Sequence, residues 1–339
     1  GEFMKRIILI VLVLIIVVGA GVVLAVSMSP TKELNVTMNE SPNKPVILIV
    51  IDSLMNEPLQ KAIQENKAPA LSFLINNGYL ESEVISSYPT MSVTIDSTLL
   101  TGTYANEHKI PGLIWFKEDE DRMISYGSGI SEMWHNGIKN VAYDSVIRLN
   151  NEHLSNNVQT MHEQLATHDI QSASINGLLY RGSVEHHLHV PKLISTTNLL
   201  PKEIITNGPI LLSLGALSQY NPENDRHKFA WKRMGVNNDF TVAELQYFIQ
   251  QRQIPPFTLA YLPDADAPIQ QATWIIVGDS GQSTVKDDKE TALIDLTELL
   301  QHYSLWEREN TNGQIAIAIN ERMAYVYVND KNVELTEVV

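Results

Sequence analysis

Val46-Ile47-Leu48-Ile49-Val50-Ile51 is an unbroken aliphatic run, mostly β-branched, that stops at Asp52. It lacks the in-out alternation of a half-solvated sheet. Such a run predicts a strand buried on both faces, the habit of parallel sheets covered by helices. Two later segments repeat the pattern: FTLAYL at 257–262, followed by Pro263 and Asp264, and TWIIV at 273–277, followed by Gly278 and Asp279. Stretches at 68–77, 92–100, 154–167 and 241–252 predict helices. Those at 81–88, 140–143 and 171–178 predict extended chain. Residues 192–230 match neither pattern cleanly and suggest a helical cap, while 313–319 and 323–328 predict a closing hairpin. Strands alternating with helices define an α/β protein, a mostly parallel sheet with helices on both faces.

The N terminus carries a different message. Gly1-Glu2-Phe3 precedes a methionine and reads as an expression scar. Lys5 and Arg6 are followed by 20 residues, 7–26, without one polar side chain. As a helix that run spans about 30 Å, one bilayer core. It is either a single transmembrane anchor or a signal peptide cut near 25–27, and its length favours the anchor. The positive flank belongs in the cytoplasm, which places the remainder outside the cell membrane, or secreted if the leader is cleaved. Residues 27–45, with Pro30, Pro42 and Pro45, read as a flexible stalk ahead of a globular ectodomain at 46–339.

A formal net charge of -15 argues against nucleic-acid binding by charge. With no cysteine, disulfides and thiolate metal sites are excluded. Any metal must sit on Asp, Glu, His, hydroxyl or backbone oxygen. Ligands of open parallel sheets bind at the carboxyl ends of strands, where Asp52, Asp264 and Asp279 are expected. Each alone reads as a cap or turn former. Three together, unmatched by basic residues, suggest a divalent metal. Thr90, in Tyr88-Pro89-Thr90, sits where an extended stretch gives way to the 92–100 helix. A helix N terminus cradles phosphate, and a hydroxyl there can act as nucleophile. The rival reading of Thr90 is a plain helix cap.

Other candidates are weaker. Glu185-His186-His187-Leu188-His189 has the wrong spacing for one helix face. On a strand, His187 and His189 share a face, but a solvated or substrate-lining loop is the favoured reading. His108 is expected to order its loop through a ring hydrogen bond. Trp115, Tyr126 and Trp134 are more readily core than cleft.

The segments VIDS (50–53), YPTMSVTIDSTLLTGTYANEHKIPG (88–112), YLPD (261–264) and GDSG (278–281) together resemble the alkaline phosphatase superfamily, most of all its type I phosphodiesterase/nucleotide pyrophosphatase branch. The resemblance is strongest over 46–115 and returns at 257–284. It implies an alkaline phosphatase-like fold and a threonine nucleophile, Thr90, that bridges two metal ions. Asp52 and Asp279 then share one metal with Thr90, and Asp264 serves the second. The cofactor implied is zinc, with manganese as an alternative. The substrate implied is a phosphodiester or phosphomonoester, a small molecule or nucleotide. Departures are equally specific. Pro268 stands where the family has a second-metal His, Ser280 replaces the His of Asp-His-Gly, Ile95 replaces a phosphate-binding Asn, and no His follows His302. Only eight residues separate Asp264 from Thr273, where a parallel crossover usually needs a dozen. A segment after 264 and the C-terminal end are therefore expected to be shortened relative to the family. The leading expectation is a metal-dependent phosphohydrolase outside a membrane. The alternative is a binding module that keeps the fold without turnover.

Overall fold

The computed structural model describes residues 31–34, 36–38, 44–127, 136–228, 230–264, 273–278, 294–320, 323–330 and 333. Among these no helix is long and apolar enough to cross a membrane, and the run 7–26 lies outside them. The strands are β1 (Val46–Ile51), β2 (Ile114–Lys117), β3 (Arg122–Ser125), β4 (Ser172–Ile175), β5 (Val184–His189), β6 (Glu203–Gly208), β7 (Leu211–Ser213), β8 (Phe257–Leu262), β9 (Thr273–Gly278), β10 (Ile315–Asn320) and β11 (Met323–Val328). The chain divides into two compact units, Gly1–Val84 with Gln159–Gly278 and Ile85–Val158 with Asp279–Val339.

The first unit is built on a sheet of order β7-β4-β8-β1-β9, and every pairing in it is parallel. β1 lies between β8 and β9, so its apolar run is enclosed along both edges as well as both faces. Ile47, Ile49 and Ile51 point to one face together with Ala173, Ile175, Ala260 and Leu262. The helix Asn238–Gln250 closes that face with Leu245 and Phe248. Each such fully buried side chain contributes roughly 1.5–3 kcal/mol. On the opposite face the helix Met161–Thr167 sets His162 against Phe257, 5.7 Å between ring centres, and against the Ser172 hydroxyl at 3.0 Å. Helices on both faces of a parallel sheet are what the buried runs demanded. β8 and β9 are both parallel to β1, as expected, and their connection at 265–272 lies outside the described residues.

The second unit contains two antiparallel hairpins, β2–β3 and the expected closing pair β10–β11. The Asn320 side chain joins them. Its Oδ1 accepts from the Ile114 N–H at 2.8 Å and its Nδ2 donates to the Ile114 carbonyl at 2.6 Å. The buried Asp144 carboxylate ties β3 to the helical segment that follows it. It accepts a forked pair from Arg122 at 2.8 and 3.0 Å and a further bond from Arg148 at 2.9 Å.

Several local expectations are corrected. Residues 140–143 are helical, within Ile138–Tyr143, and run on into a π-helical turn, Asp144–His153. The Asp144–Arg148 pair is four residues apart and meets only on a helix. The helix expected over 154–167 begins at Met161, where a capping box of Thr160 and Glu163 starts it. Residues 81–87 form no strand, since Val84 and Ile85 are exposed and find no partner edge. The undecided stretch 192–230 contains the helix Lys192–Thr196, β6 and β7, followed by 3₁₀ turns. The histidine cluster is strand β5. His186 is buried and donates to the Pro209 carbonyl at 2.6 Å, while His187 lies on the exposed face between Glu185 and Glu203. Among the described residues no group of three or more His, Asp or Glu is placed to hold a metal. The aromatic expectation holds for Trp115 and Tyr126. His153 receives the edge of Trp115 at 5.7 Å and meets the Tyr126 hydroxyl at 2.8 Å, a packed cluster rather than a cleft wall. Trp134 lies outside the described residues.

Candidate active site

The register of β1 with β8 and β9 brings Ile51, Leu262 and Gly278 level at the carboxyl edge of the sheet. Asp52 extends the ladder one step, its N–H donating to the Leu262 carbonyl at 3.0 Å. Ser53 then turns the chain with φ 58, and Leu54 N–H closes onto the Ile51 carbonyl at 3.3 Å. The Ser53 hydroxyl donates to Asp52 Oδ1 at 3.2 Å. Gly278 is required beneath this turn, because a Cβ there would stand 2.4 Å from the Leu54 carbonyl oxygen. Asp279, the next residue, lies outside the described residues.

Asp264 reaches the same edge from β8, but its environment is not that of a free ligand. Its Oδ1 takes a hydrogen bond from Arg233 Nη2, and its Oδ2 faces the Asn238 N–H at 3.4 Å. Its own N–H donates to Asn238 Oδ1 at 2.8 Å, so the strand end is laced to the start of the helix Asn238–Gln250. Sequence reasoning missed both partners. They lie 31 and 26 residues away, and the left-handed kink carrying Arg233 has no distinctive sequence pattern.

Thr90 belongs to the second unit. It is exposed and stands one residue ahead of Met91, the N-cap of the helix Ser92–Thr101, which has no side-chain cap bond. The cap reading of Thr90 is therefore replaced. The helix is anchored through its buried face, including Val93, Thr94, Ser97 and Leu100, and Gly102 ends it in the left-handed conformation at φ 68. Behind it, His108 is fully buried and orders the loop as expected. Its Nδ1 accepts from the Ile110 N–H at 3.1 Å, which leaves the ring proton on Nε2, 3.2 Å from Thr98 Oγ1. Ser87 donates to that same hydroxyl oxygen at 3.4 Å, so the segment ahead of Thr90 and the loop after the helix both meet Thr98. Burial pushes His108 down to about 4, so it is neutral and positions the loop rather than moving protons.

Oxygen donors at the carboxyl edge suit a divalent ion, and Asp52 fits that role by type. Asp264 carries the same type of donor and faces the Arg233 guanidinium. The parallel sheet with helices on both faces and a carboxylate at a strand's carboxyl end make this an α/β protein of the kind whose ligands bind at that edge. The chain belongs to the type I phosphodiesterase / nucleotide pyrophosphatase family, whose sequence model matches residues 46–338. No curated protein matches it closely enough to report. Among solved structures it is similar to phosphonoacetate hydrolase from Sinorhizobium meliloti 1021 in complex with phosphonoformate. That match has 13% identity and a TM-score of 0.53, over 91% of this chain and 76% of that one. The same enzyme in complex with phosphonoacetate matches at 12% identity, TM-score 0.53 and the same coverage. At these identities the likeness is one of fold.

Proposed function

We propose that this protein hydrolyses a phosphate ester through Thr90, with a divalent ion, zinc or manganese, held on the Asp52 side and shared with Asp279. The observation that carries this reading is the exposed Thr90 hydroxyl ahead of a ten-residue helix whose N terminus no side chain caps. Amide donors and the positive dipole end favour phosphoryl oxygens in front of that hydroxyl. Thr90 Oγ forms a bond to phosphorus as the ester P–O bond breaks. The Thr90 hydroxyl gives up its proton on attack and the leaving alkoxide takes one up; water then cleaves the phospho-threonine, restoring the hydroxyl and releasing phosphate from a monoester or a phosphomonoester from a diester. A bound divalent ion lowers the pKa of the hydroxyl and neutralises phosphoryl charge. The Ser87 bond to Thr98 holds the segment that presents Thr90. Family membership supports a phosphodiester or phosphomonoester substrate, nucleotides included, and the apolar run 7–26 supports tethering to the outer side of a membrane. The test is Thr90→Ala assayed on a chromogenic phosphodiester with added zinc or manganese. Loss of turnover with unchanged folding is expected, and unchanged turnover refutes the assignment.

A second reading, a binding module without turnover, is favoured by one observation, the Arg233 guanidinium on Asp264. Wild-type protein that binds phosphate but shows no Thr90-dependent hydrolysis of phosphodiesters or phosphomonoesters would select it.

A further inference from the structure

We propose that Arg233 takes the place of a second metal ion at the strand end that carries Asp264: Asp264 is a guanidinium anchor, and Arg233 is an anion-binding residue for a phosphoryl group. The proposal rests on the phosphoester reading above for its ligand and on the following geometry for its residue. Both Asp264 oxygens already face nitrogen donors, Arg233 Nη2 and the Asn238 amide, so a cation on Asp264 would have to use the remaining lone pairs. A dication there would also stand beside the half-exposed Arg233 guanidinium and be repelled, through a partly screened charge.

The contact is built into the backbone. Arg233 and Met234 both adopt left-handed conformations, φ 49 and 55, which non-glycine residues rarely take and which persist only where surroundings enforce them. The enforcing bonds are present on either side. Asn237 Nδ2 donates to the Lys232 carbonyl at 2.6 Å, and Asn176 Nδ2 donates to the Gly235 carbonyl at 2.8 Å. Gly235 lies against Gly215 so closely that a Cβ on it would be 2.7 Å from the Gly215 Cα. Asn176 follows β4 at its own carboxyl end, so the turn carrying Arg233 is fastened to the edge that bears Asp52 and Asp264. The Arg233 side chain spends Nη2 on Asp264 and is more than half exposed, so its other N–H groups can meet a further acceptor. A planar guanidinium offers a forked pair of donors to phosphate oxygens. Asp264 then aims the guanidinium rather than holding a metal.

The test pairs metal content with phosphate binding in the full chain. Zinc per chain is measured by elemental analysis after equilibration, and inorganic phosphate affinity by titration calorimetry. Wild type is expected to hold no more than one zinc, and Asp264→Asn to leave that number unchanged. Arg233→Met is expected to weaken phosphate binding by about tenfold or more without changing zinc content, with Arg233→Lys intermediate. Two zinc ions in wild type falling to one in Asp264→Asn would overturn the proposal. So would phosphate affinity unchanged in a folded Arg233→Met. Wild type with no zinc but Arg233-dependent phosphate binding supports the arginine assignment while refuting the metal-dependent hydrolase, so the two readings fail separately.

Discussion

His108 offers a quantitative test of how the loop after the Ser92–Thr101 helix is held. The ring is fully buried, accepts from the Ile110 N–H and has its second nitrogen on Thr98 Oγ1. Burial depresses its pKa from 6.5 to about 4. A depressed histidine means that the unfolded chain takes up the proton first on acidification. Its contribution to stability is therefore complete above pH 6.5 and lost as pH falls from 6.5 towards 4. At about 1.4 kcal/mol per pH unit, moving from pH 7 to pH 5 removes about 2 kcal/mol through this one group. His108→Gln abolishes the titration while keeping an acceptor and a donor. At pH 7 the variant is expected to be less stable by about 1–2 kcal/mol, from imperfect replacement of two buried hydrogen bonds. At pH 5 the gap between variant and wild type should close by about 2 kcal/mol. Urea unfolding of both proteins at the two pH values, followed by circular dichroism, measures it. A gap that stays constant to within about 0.5 kcal/mol would refute the claim that the ring is held neutral by burial.

Other parts of the structure make their own demands. Asp144→Ala strips the buried counter-charge from Arg122 and Arg148 and is expected to cost about 3 kcal/mol or more, read as a lowered urea midpoint. Gly278→Ala drives a methyl into the Leu54 carbonyl and displaces the turn after Asp52, with an expected loss of about 1–3 kcal/mol and weaker metal binding by calorimetry. Glu244 is buried and accepts from Ser213 Oγ, the Tyr220 and Asn221 N–H groups and Asn224 Nδ2. Burial raises its pKa and these four donors oppose that rise. Glu244→Gln must turn an amide NH₂ towards two of them, so thermal unfolding should show a loss of about 2–4 kcal/mol, and an unchanged melt would mean the carboxyl is protonated.

The chain's own pattern determined the parts that rest on local physics. Unbroken aliphatic runs can only be buried on both faces, so β1, β8 and β9 were legible as parallel strands with carboxylates at their ends. Helical spacing ending at Thr101-Gly102 made the Ser92–Thr101 helix legible, and the 88–112 motif carried the family. The site was less legible because its partners are distant in sequence. Nothing near Asp264 announces Arg233, whose approach depends on a left-handed turn enforced by Asn176 and Asn237 from separate segments. Whether Thr90 caps its helix was likewise a matter of one residue's register, settled when Met91 took the cap position. The short segment 140–143 became helix because Asp144 and Arg148 meet there over Arg122, a long-range ion pair that no window around those residues contains. Asp52 and Asp264 were thus placed at the carboxyl edge by sequence periodicity alone, while the charge that faces Asp264 was decided by a tertiary contact.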